Sequence, residues 1–152
     1  IDSADNKLEA AKAFGATHAV NAKREDVKAR VREINGGAKA DYVFVTVGVA
    51  GAAEQAISLM KLNGAAVLVD MPPSGVKATF DPGWLAGNGQ RILGSKMGSA
   101  RLPVDVPKIV ELYGQGRLKL DELITERFPF ERINEAIASA RAGAALRNVV
   151  VF

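Results

Sequence analysis

The chain has 152 residues, 48% of them apolar, which suits a folded domain with its own hydrophobic core. Lysine and arginine number 20 against 17 for aspartate and glutamate, and the two signs are interspersed without a basic run, so nucleic acid is not indicated as a partner. No stretch approaches the roughly 20 apolar residues that cross a bilayer, and no signal segment opens the chain. We therefore expect no membrane association and a cytoplasmic location.

The residues that bind metals and form disulfides are scarce. Cysteine is absent, which excludes disulfides and thiolate metal sites, and the single histidine, His18, cannot form a histidine-based zinc site. We expect no metal bound by these residues alone, and interpret His18 as a structural or surface residue. The chain opens on Ile1 and a polar run that reads like the end of a strand already in progress, which suggests a fragment or a processed chain.

The first third of the chain predicts two helices around a short strand. Residues 4–14 combine good helix formers with an apolar stripe, and Gly15 is placed to end the helix. His18–Asn21 then reads as a short strand. Residues 24–34 predict a charged helix with apolar residues at helical spacing.

The middle of the chain predicts strands that alternate with a helix. Tyr42–Val47 is β-branched and aromatic, as in a strand buried on both faces of a parallel sheet. A helix at about 52–61 precedes a strand at Ala65–Met71. A loop follows, in which Trp84 is interpreted as a packing residue, and Arg91–Met97 predicts one more strand.

Beyond Gly98 the pattern changes to a helix at about 104–113, an irregular stretch, a helix at about 131–142 and a final strand at 148–152. We therefore place a boundary near residue 98. The alternation before it is typical of right-handed βαβ units. The predicted fold class is α/β, with a doubly wound, Rossmann-type parallel sheet.

Several strings, in their order, resemble the zinc-type medium-chain alcohol dehydrogenases along essentially the whole chain. They are IDSADNKLEAAKAFGATHAVN, DYVFVTVG, VLVDMPP, ILGSKMG, LITERFPFERINEAI and LRNVVVF. The resemblance implies that residues 1–97 are the later part of an NAD-binding domain and that residues 98–152 pack on the catalytic domain. In that family the zinc ligands and the glycine-rich turn come earlier, so the sheet here is expected to be incomplete at its N-terminal side. The last strand of the sheet, Arg91–Met97, pairs with its copy in the family, so we expect at least a homodimer.

Asp2 is the first candidate for cofactor binding. By resemblance, Asp2 lies at the end of the second strand of the family's NAD-binding sheet. A carboxylate there can accept hydrogen bonds from both hydroxyls of the adenosine ribose and repels a 2′-phosphate, which favours NAD over NADP. Alternatively, Asp2 simply caps the helix that follows it. Lys7 resembles the family lysine that reaches the same ribose, although a lone helical lysine is ordinarily a solvated charge.

The remaining candidates lie at strand ends, where an open parallel sheet meets its ligand. By resemblance, Thr46 and Val47 flank the adenosine, Val69 and Met71 flank the nicotinamide, Ser95 and Met97 belong to the segment whose backbone contacts the carboxamide, and Arg147 reaches the phosphates. The alternative is that these are ordinary strand or surface residues. Asp70 departs from the family, which usually has glycine there.

The resemblance implies an enzyme in which zinc polarises an alcohol oxygen and hydride passes to NAD. These residues would supply cofactor orientation only, so we expect no dehydrogenase activity from them alone and assign no catalytic residue. Two alternatives remain: part of a zinc-free quinone or enone reductase, which would favour NADPH and a small or basic residue at Asp2, and a non-catalytic nucleotide-binding module.

Overall fold

A computed structural model describes residues 1–152 and divides them into two compact units, Ile1–Ala100 and Arg101–Phe152. The division lies close to the boundary predicted near residue 98. None of the helices is both long and apolar enough to cross a membrane.

The first unit alternates helices and strands along the chain. Its elements are α1 (Asp5–Ala13), α2 (Val27–Ile34), β1 (Ala40–Val45), α3 (Ala50–Leu59), β2 (Met60–Leu68), α4 (Pro82–Gly87) and β3 (Arg91–Gly94). The three strands form one sheet in the order β1-β2-β3, and both pairings are parallel. The predicted α/β fold with a parallel sheet is confirmed.

The core of this unit lies between α3 and the sheet. Met60 and Ala66 on β2 are fully buried against Ala56 of α3 and Val45 of β1. Because alanine has the smallest apolar side chain, it lets a helix approach the strand closely. Gln90 is also buried, and its amide Nε2 donates to the carbonyl of Met60 at 3.0 Å, which ties the start of β3 to the start of β2.

The short strand predicted at His18–Asn21 is reduced to a single parallel bridge between Asp2 and Asn21. The Asp2 amide donates to the Val20 carbonyl at 3.1 Å, and the Ala22 amide donates to the Asp2 carbonyl at 2.9 Å. A strand needs a partner of matching length, and here the partner segment turns into α1 immediately after Asp2. The pairing therefore stops after one residue pair.

The three sheet strands end earlier than the sequence pattern predicted, at Val45, Leu68 and Gly94. After β2, the amides of Val69 and Asp70 both donate to the Val45 carbonyl, so the chain leaves the regular ladder there. Beyond Gly94 the backbone enters a 3₁₀ turn at Lys96–Ser99.

The prediction that Tyr42–Val47 is buried on both faces is wrong. Tyr42 is 61% exposed and Phe44 is 65% exposed, because they alternate with Val43 and Val45 and lie on the opposite face of β1 from the one that packs against α3. Helix α4 was also missed within the predicted loop. Asp81 caps it by accepting from the Trp84 amide at 2.9 Å, and Pro82 fits the first turn, which needs no amide donor.

The second unit contains α5 (Leu102–Gly114), β4 (Ile124–Pro129), α6 (Ile133–Arg141) and β5 (Arg147–Val151). β4 and β5 form a two-stranded parallel sheet, and β4 lies in the stretch predicted to be irregular. Phe128, Ala136 and Ala145 are its buried hydrophobic residues. Helix α5 buries none of its residues and contains Pro107 in its interior.

Candidate functional site

The carboxyl ends of the three strands of the first unit lie at one level of the sheet. Val45 pairs with Leu68, and Leu68 pairs with Gly94, so the last residue of each strand is in register with the others. The segments that leave these ends are bonded to the neighbouring strand: the Val69 amide donates to the Val45 carbonyl and the Ser95 amide to the Leu68 carbonyl, both at 2.9 Å. The sheet thus presents one even edge with three chain segments leaving it.

The residues predicted at strand ends gather along this edge. Thr46 and Val47 directly follow β1, and both are exposed. They line a crevice of about 110 Å³ together with Ile1, Phe44 and residues of α3. This crevice brings the start of the chain beside the end of β1. Ile1 and Phe44 were not among the predicted site residues, because an apolar residue in or near a strand gives no sequence signal that distinguishes a cavity wall from a core position.

Asp2 adjoins this crevice through its neighbour Ile1, and its side chain is exposed. Its Oδ1 atom accepts from the Ser3 amide at 2.6 Å and from the Ala4 amide at 2.9 Å. The carboxylate therefore organises the turn that leads into α1. The N-cap residue of this helix is Ala4 and no side chain caps it, so the alternative that Asp2 caps α1 is wrong. The turn fixes the direction in which the carboxylate points.

Asn21 holds the Asp2 segment in place. This residue was not among the predicted site residues. It is buried, its backbone bridges Asp2, and its side-chain Nδ2 donates to Oδ1 of Asp5 at 2.8 Å. The Asn21 amide in turn donates to Glu25 at 2.6 Å. The other predicted ribose contact, Lys7, is half-buried on α1. A single asparagine between two polar segments gives no sequence signal for this bracing role.

Beyond β2, the chain passes very close to Gly48. A Cβ atom at position 48 would lie 2.9 Å from Oδ2 of Asp70 and 3.1 Å from Cα of Pro72, so a larger residue would require both neighbours to shift. Asp70 itself is exposed to solvent, which meets the requirement that its charge be hydrated. Val69 is half-buried and Met71 is exposed, both directly after the strand.

The third segment follows β3 and has an unusual backbone. Ser95 precedes a 3₁₀ turn in which Met97 has a φ of 51° and Gly98 a φ of 68°. A non-glycine residue with positive φ is uncommon, and backbone strain of this kind clusters at functional sites. The Met97 side chain is exposed. Arg147 belongs to the second unit, where it is the exposed first residue of β5.

The structure brings together no group of three histidine, aspartate or glutamate side chains that could hold a metal ion.

A family described as "Zinc-binding dehydrogenase" matches residues 1–114. The NDMA-dependent alcohol dehydrogenase of Amycolatopsis methanolica is 30% identical over 99% of this chain and 41% of its own length. The class-3 alcohol dehydrogenase of Cereibacter sphaeroides is 32% identical over 100% of this chain and 42% of its own. A solved zinc-binding-domain alcohol dehydrogenase from Burkholderia ambifaria superposes with a TM-score of 0.91 at 34% identity, covering 98% of this chain and 40% of that one. The chain therefore spans about two fifths of the length of these relatives.

Proposed function

This chain belongs to the zinc-type medium-chain alcohol dehydrogenase family, of which it is the carboxyl-terminal part, and we propose that it forms the NAD-binding portion of an enzyme that oxidises an alcohol. Its relatives are named as alcohol dehydrogenases, and the alcohol substrate is inferred from them. The observation that carries the proposal is the even sheet edge, where Val45, Leu68 and Gly94 end in register beside the Asp2 segment. Dinucleotides bind across such an edge in doubly wound sheets.

Asp2 anchors the adenosine ribose in this proposal. Its carboxylate is exposed and is held by the Ser3 and Ala4 amides through Oδ1. A carboxylate has about four acceptor positions, so two donated bonds leave capacity for the ribose hydroxyls. The same negative charge repels a 2′-phosphate, which makes NAD the expected cofactor rather than NADP. Lys7, on the following helix, contributes a second ribose contact.

The three segments that leave the sheet orient the rest of the cofactor. Thr46 and Val47 border the adenosine, Val69 and Met71 border the nicotinamide, and the turn at Ser95 and Met97 offers backbone groups to the carboxamide. Arg147 supplies a guanidinium for the phosphates, whose paired oxygens match its fork of donors. When bound, NAD accepts a hydride from the alcohol. The residues of this chain bind and orient it, and residues 98–152 pack on the catalytic domain.

The residues present do not fit a zinc site, since no suitable group of ligands comes together. We therefore assign no catalytic step and no metal contact to this chain, and place the chemistry on the remaining part of the enzyme. We propose that the enzyme works in the cytoplasm.

Substitution of Asp2 by asparagine tests the cofactor assignment. Asparagine retains an oxygen that can accept from the Ser3 and Ala4 amides, so the turn should survive while the charge is lost. A hydrogen bond to a charged group contributes about 1.5–3 kcal/mol, so the dissociation constant for NAD should rise about 10- to 100-fold, and discrimination against NADP should fall. Isothermal titration calorimetry with both nucleotides measures these changes.

The matched control is Glu9→Gln, which makes the same change of carboxylate to amide at an exposed position of α1. It should leave both dissociation constants unchanged. Equal NAD affinity in the Asp2→Asn variant and in the unsubstituted chain would show that Asp2 only organises the turn before α1 and does not bind the ribose.

We also propose a homodimer that forms through β3. This strand lies at the edge of the sheet, pairs only with β2, and exposes Leu93. An edge strand offers unpaired backbone groups to a second copy. Multi-angle light scattering should give twice the chain mass of 16.0 kDa, and Gly94→Pro, which removes a backbone N–H that faces away from β2, should shift the population toward the monomer. A monodisperse monomer before substitution would contradict the proposal.

A further inference from the structure

A second cavity of the first unit lies apart from the proposed cofactor edge. It has a volume of about 390 Å³ and is bounded by α2, α3, the residue before β1 and the loop that leads into α4. Of the residues that line the crevice beside Asp2, it shares only Leu59, whose side chain is buried. Its volume falls within the range of about 300–1,000 Å³ that is usual for small-molecule sites. We call it the Trp84 cavity.

The Trp84 cavity has two exposed aromatic walls. Trp84 is 52% exposed and Phe80 is 49% exposed, and both line the cavity together with Ile57 of α3. Trp84 was predicted to be a packing residue, but half of its side chain is exposed. Large aromatic side chains placed side by side at a cavity offer flat apolar surface to a ring.

Three cationic side chains line the same cavity: Lys28, Arg32 and Lys39. The ion pairs of the structure involve other residues, so none of the three is neutralised by a carboxylate. The Lys39 ammonium lies 5.7 Å from the centroid of the Trp84 ring, within the distance of a cation–π contact. Two of the cations therefore remain available on α2, one helical turn apart.

The two carboxylates at the cavity serve to hold its wall. Glu54 accepts from both the amide and the hydroxyl of Thr79 at 2.9 Å, and Asp81 accepts from the Trp84 amide at 2.9 Å. The hydrogen bonds from Thr79 lower the pKa of Glu54. Its carboxylate is ionised at neutral pH and accepts both hydrogen bonds from the loop. The loop that carries Phe80 is thus fastened at both ends, and the lining retains a net positive charge, three cations against two anions.

We propose that the Trp84 cavity binds an aromatic anion, with the ring against Trp84 and Phe80 and the anionic group between Lys28 and Arg32. Neither walls nor charges alone would specify this class, since apolar walls accept a neutral ring and cations accept a bare phosphate. Their combination at one cavity favours a ligand that carries both. The assignment is independent of the cofactor proposal, because it concerns different side chains.

The test uses phenyl phosphate as the probe, and the emission of Trp84 as the signal. Trp84 is the only tryptophan of the chain, so its fluorescence reports on this cavity directly. Phenyl phosphate should change the emission in a saturable manner, whereas inorganic phosphate, which lacks the ring, and phenol, which lacks the charge, should bind at least about tenfold more weakly, a difference of about 1.4 kcal/mol. Equal binding of all three, or no saturable change, would overturn the proposal.

Lys28→Gln tests the ionic half of the site, with Lys23→Gln as the matched control. Both lysines are exposed and lie five positions apart, but only Lys28 lines the cavity. Lys28→Gln should weaken phenyl phosphate about tenfold or more, because a charge-assisted contact is lost, and Lys23→Gln should not. Circular dichroism should show both variants folded. Equal affinities in the two variants would contradict the assignment.

Amide chemical shifts separate this cavity from the cofactor edge. Phenyl phosphate should perturb the signals of Lys28, Arg32 and the Trp84 indole. Perturbation of Thr46 and Val47 instead would place the probe in the crevice beside Asp2 and would also overturn the proposal.

Discussion

The two units of the chain differ in how completely they bury their own apolar surface. The first unit has nine buried hydrophobic residues, among them Met60 and Ala66, which are fully buried. The second has three, and its longest helix, α5, buries none of its residues although Val106, Ile109 and Val110 are exposed. Hydrophobic stabilisation follows the area removed from water, so the first unit has the larger share of it. Helix α5 therefore leaves its apolar side chains uncovered by the rest of the chain.

The largest expected effect is that of Phe128→Ala in the second unit. Phe128 is 3% exposed, is the only large side chain among the buried residues of that unit, and carries the Arg132 guanidinium 5.3 Å from its ring centroid. Its removal should cost about 3–5 kcal/mol, which a unit with so small a core should not survive. Hydrogen exchange should then lose protection in β4 and β5.

Trp84 reports on the first unit alone, so its unfolding transition should stay in place in Phe128→Ala. Phe130→Ala, at a half-exposed aromatic residue nearby, is the control and should cost far less, about 0.5–1.5 kcal/mol from its stacking on Phe152. If the unfolding midpoint reported by Trp84 fluorescence falls together with the hydrogen-exchange protection of β4 and β5, the two units unfold as one.

Met60→Ala makes the corresponding change in the first unit, with a smaller expected effect. Loss of a fully buried methionine costs about 2–5 kcal/mol, including the cavity left between α3 and β2. The larger core should keep the unit folded at a reduced urea midpoint, followed by Trp84 fluorescence. Leu62→Ala, on an exposed position of the same strand, should change the midpoint little.

Much of this fold could be predicted from periodicity, but β4 and the extent of the first bridge could not. β4 reads ITERFP, in which Glu126 and Arg127 interrupt the apolar pattern, and the strand exists because β5 pairs with it. The reverse holds at His18–Asn21, whose pattern predicts a strand but whose partner segment turns away after Asp2. In both cases a tertiary pairing, which no local pattern encodes, decides the outcome.

The proposed sites divide in the same way. Thr46, Val69 and Ser95 were assigned to strand ends with the help of the family resemblance, and each directly follows its strand, although all three strands end earlier than the sequence pattern predicts. The Trp84 cavity was not foreseen, because its lining comes from several separate segments that only the packed helices bring together. A lone tryptophan or a charged helix has no distinguishing pattern until its neighbours are known.

The smallest expected effects concern pH, and they differ in sign between the units. In the second unit, the hydrogen bond from Tyr113 to the Asp121 carboxylate, and the charge of that carboxylate, raise the pKa of Tyr113 above its ordinary value of 10.0. A raised folded-state pKa stabilises the unit below the ordinary value, and this contribution is lost as pH rises through the folded-state pKa. In Tyr113→Phe, the free energy of unfolding should therefore decrease less at alkaline pH than it does in the unsubstituted chain.

In the first unit, the lowered pKa of Glu54 has the opposite consequence: its contribution is present above the ordinary value of 4.5 and is lost on acidification. Urea midpoints measured by circular dichroism from acidic to alkaline pH test both predictions. An alkaline limb unchanged in Tyr113→Phe would show that the contact with Asp121 carries no stability.

Pro107, within α5, has a mechanical consequence. Proline has no backbone N–H, so the Pro103 carbonyl, four residues earlier, receives no bond from it, and the ring presses against that carbonyl. This turn of the helix therefore has one hydrogen bond fewer to resist bending. A helix with a built-in joint can follow a curved surface where a straight rod would touch at only one point.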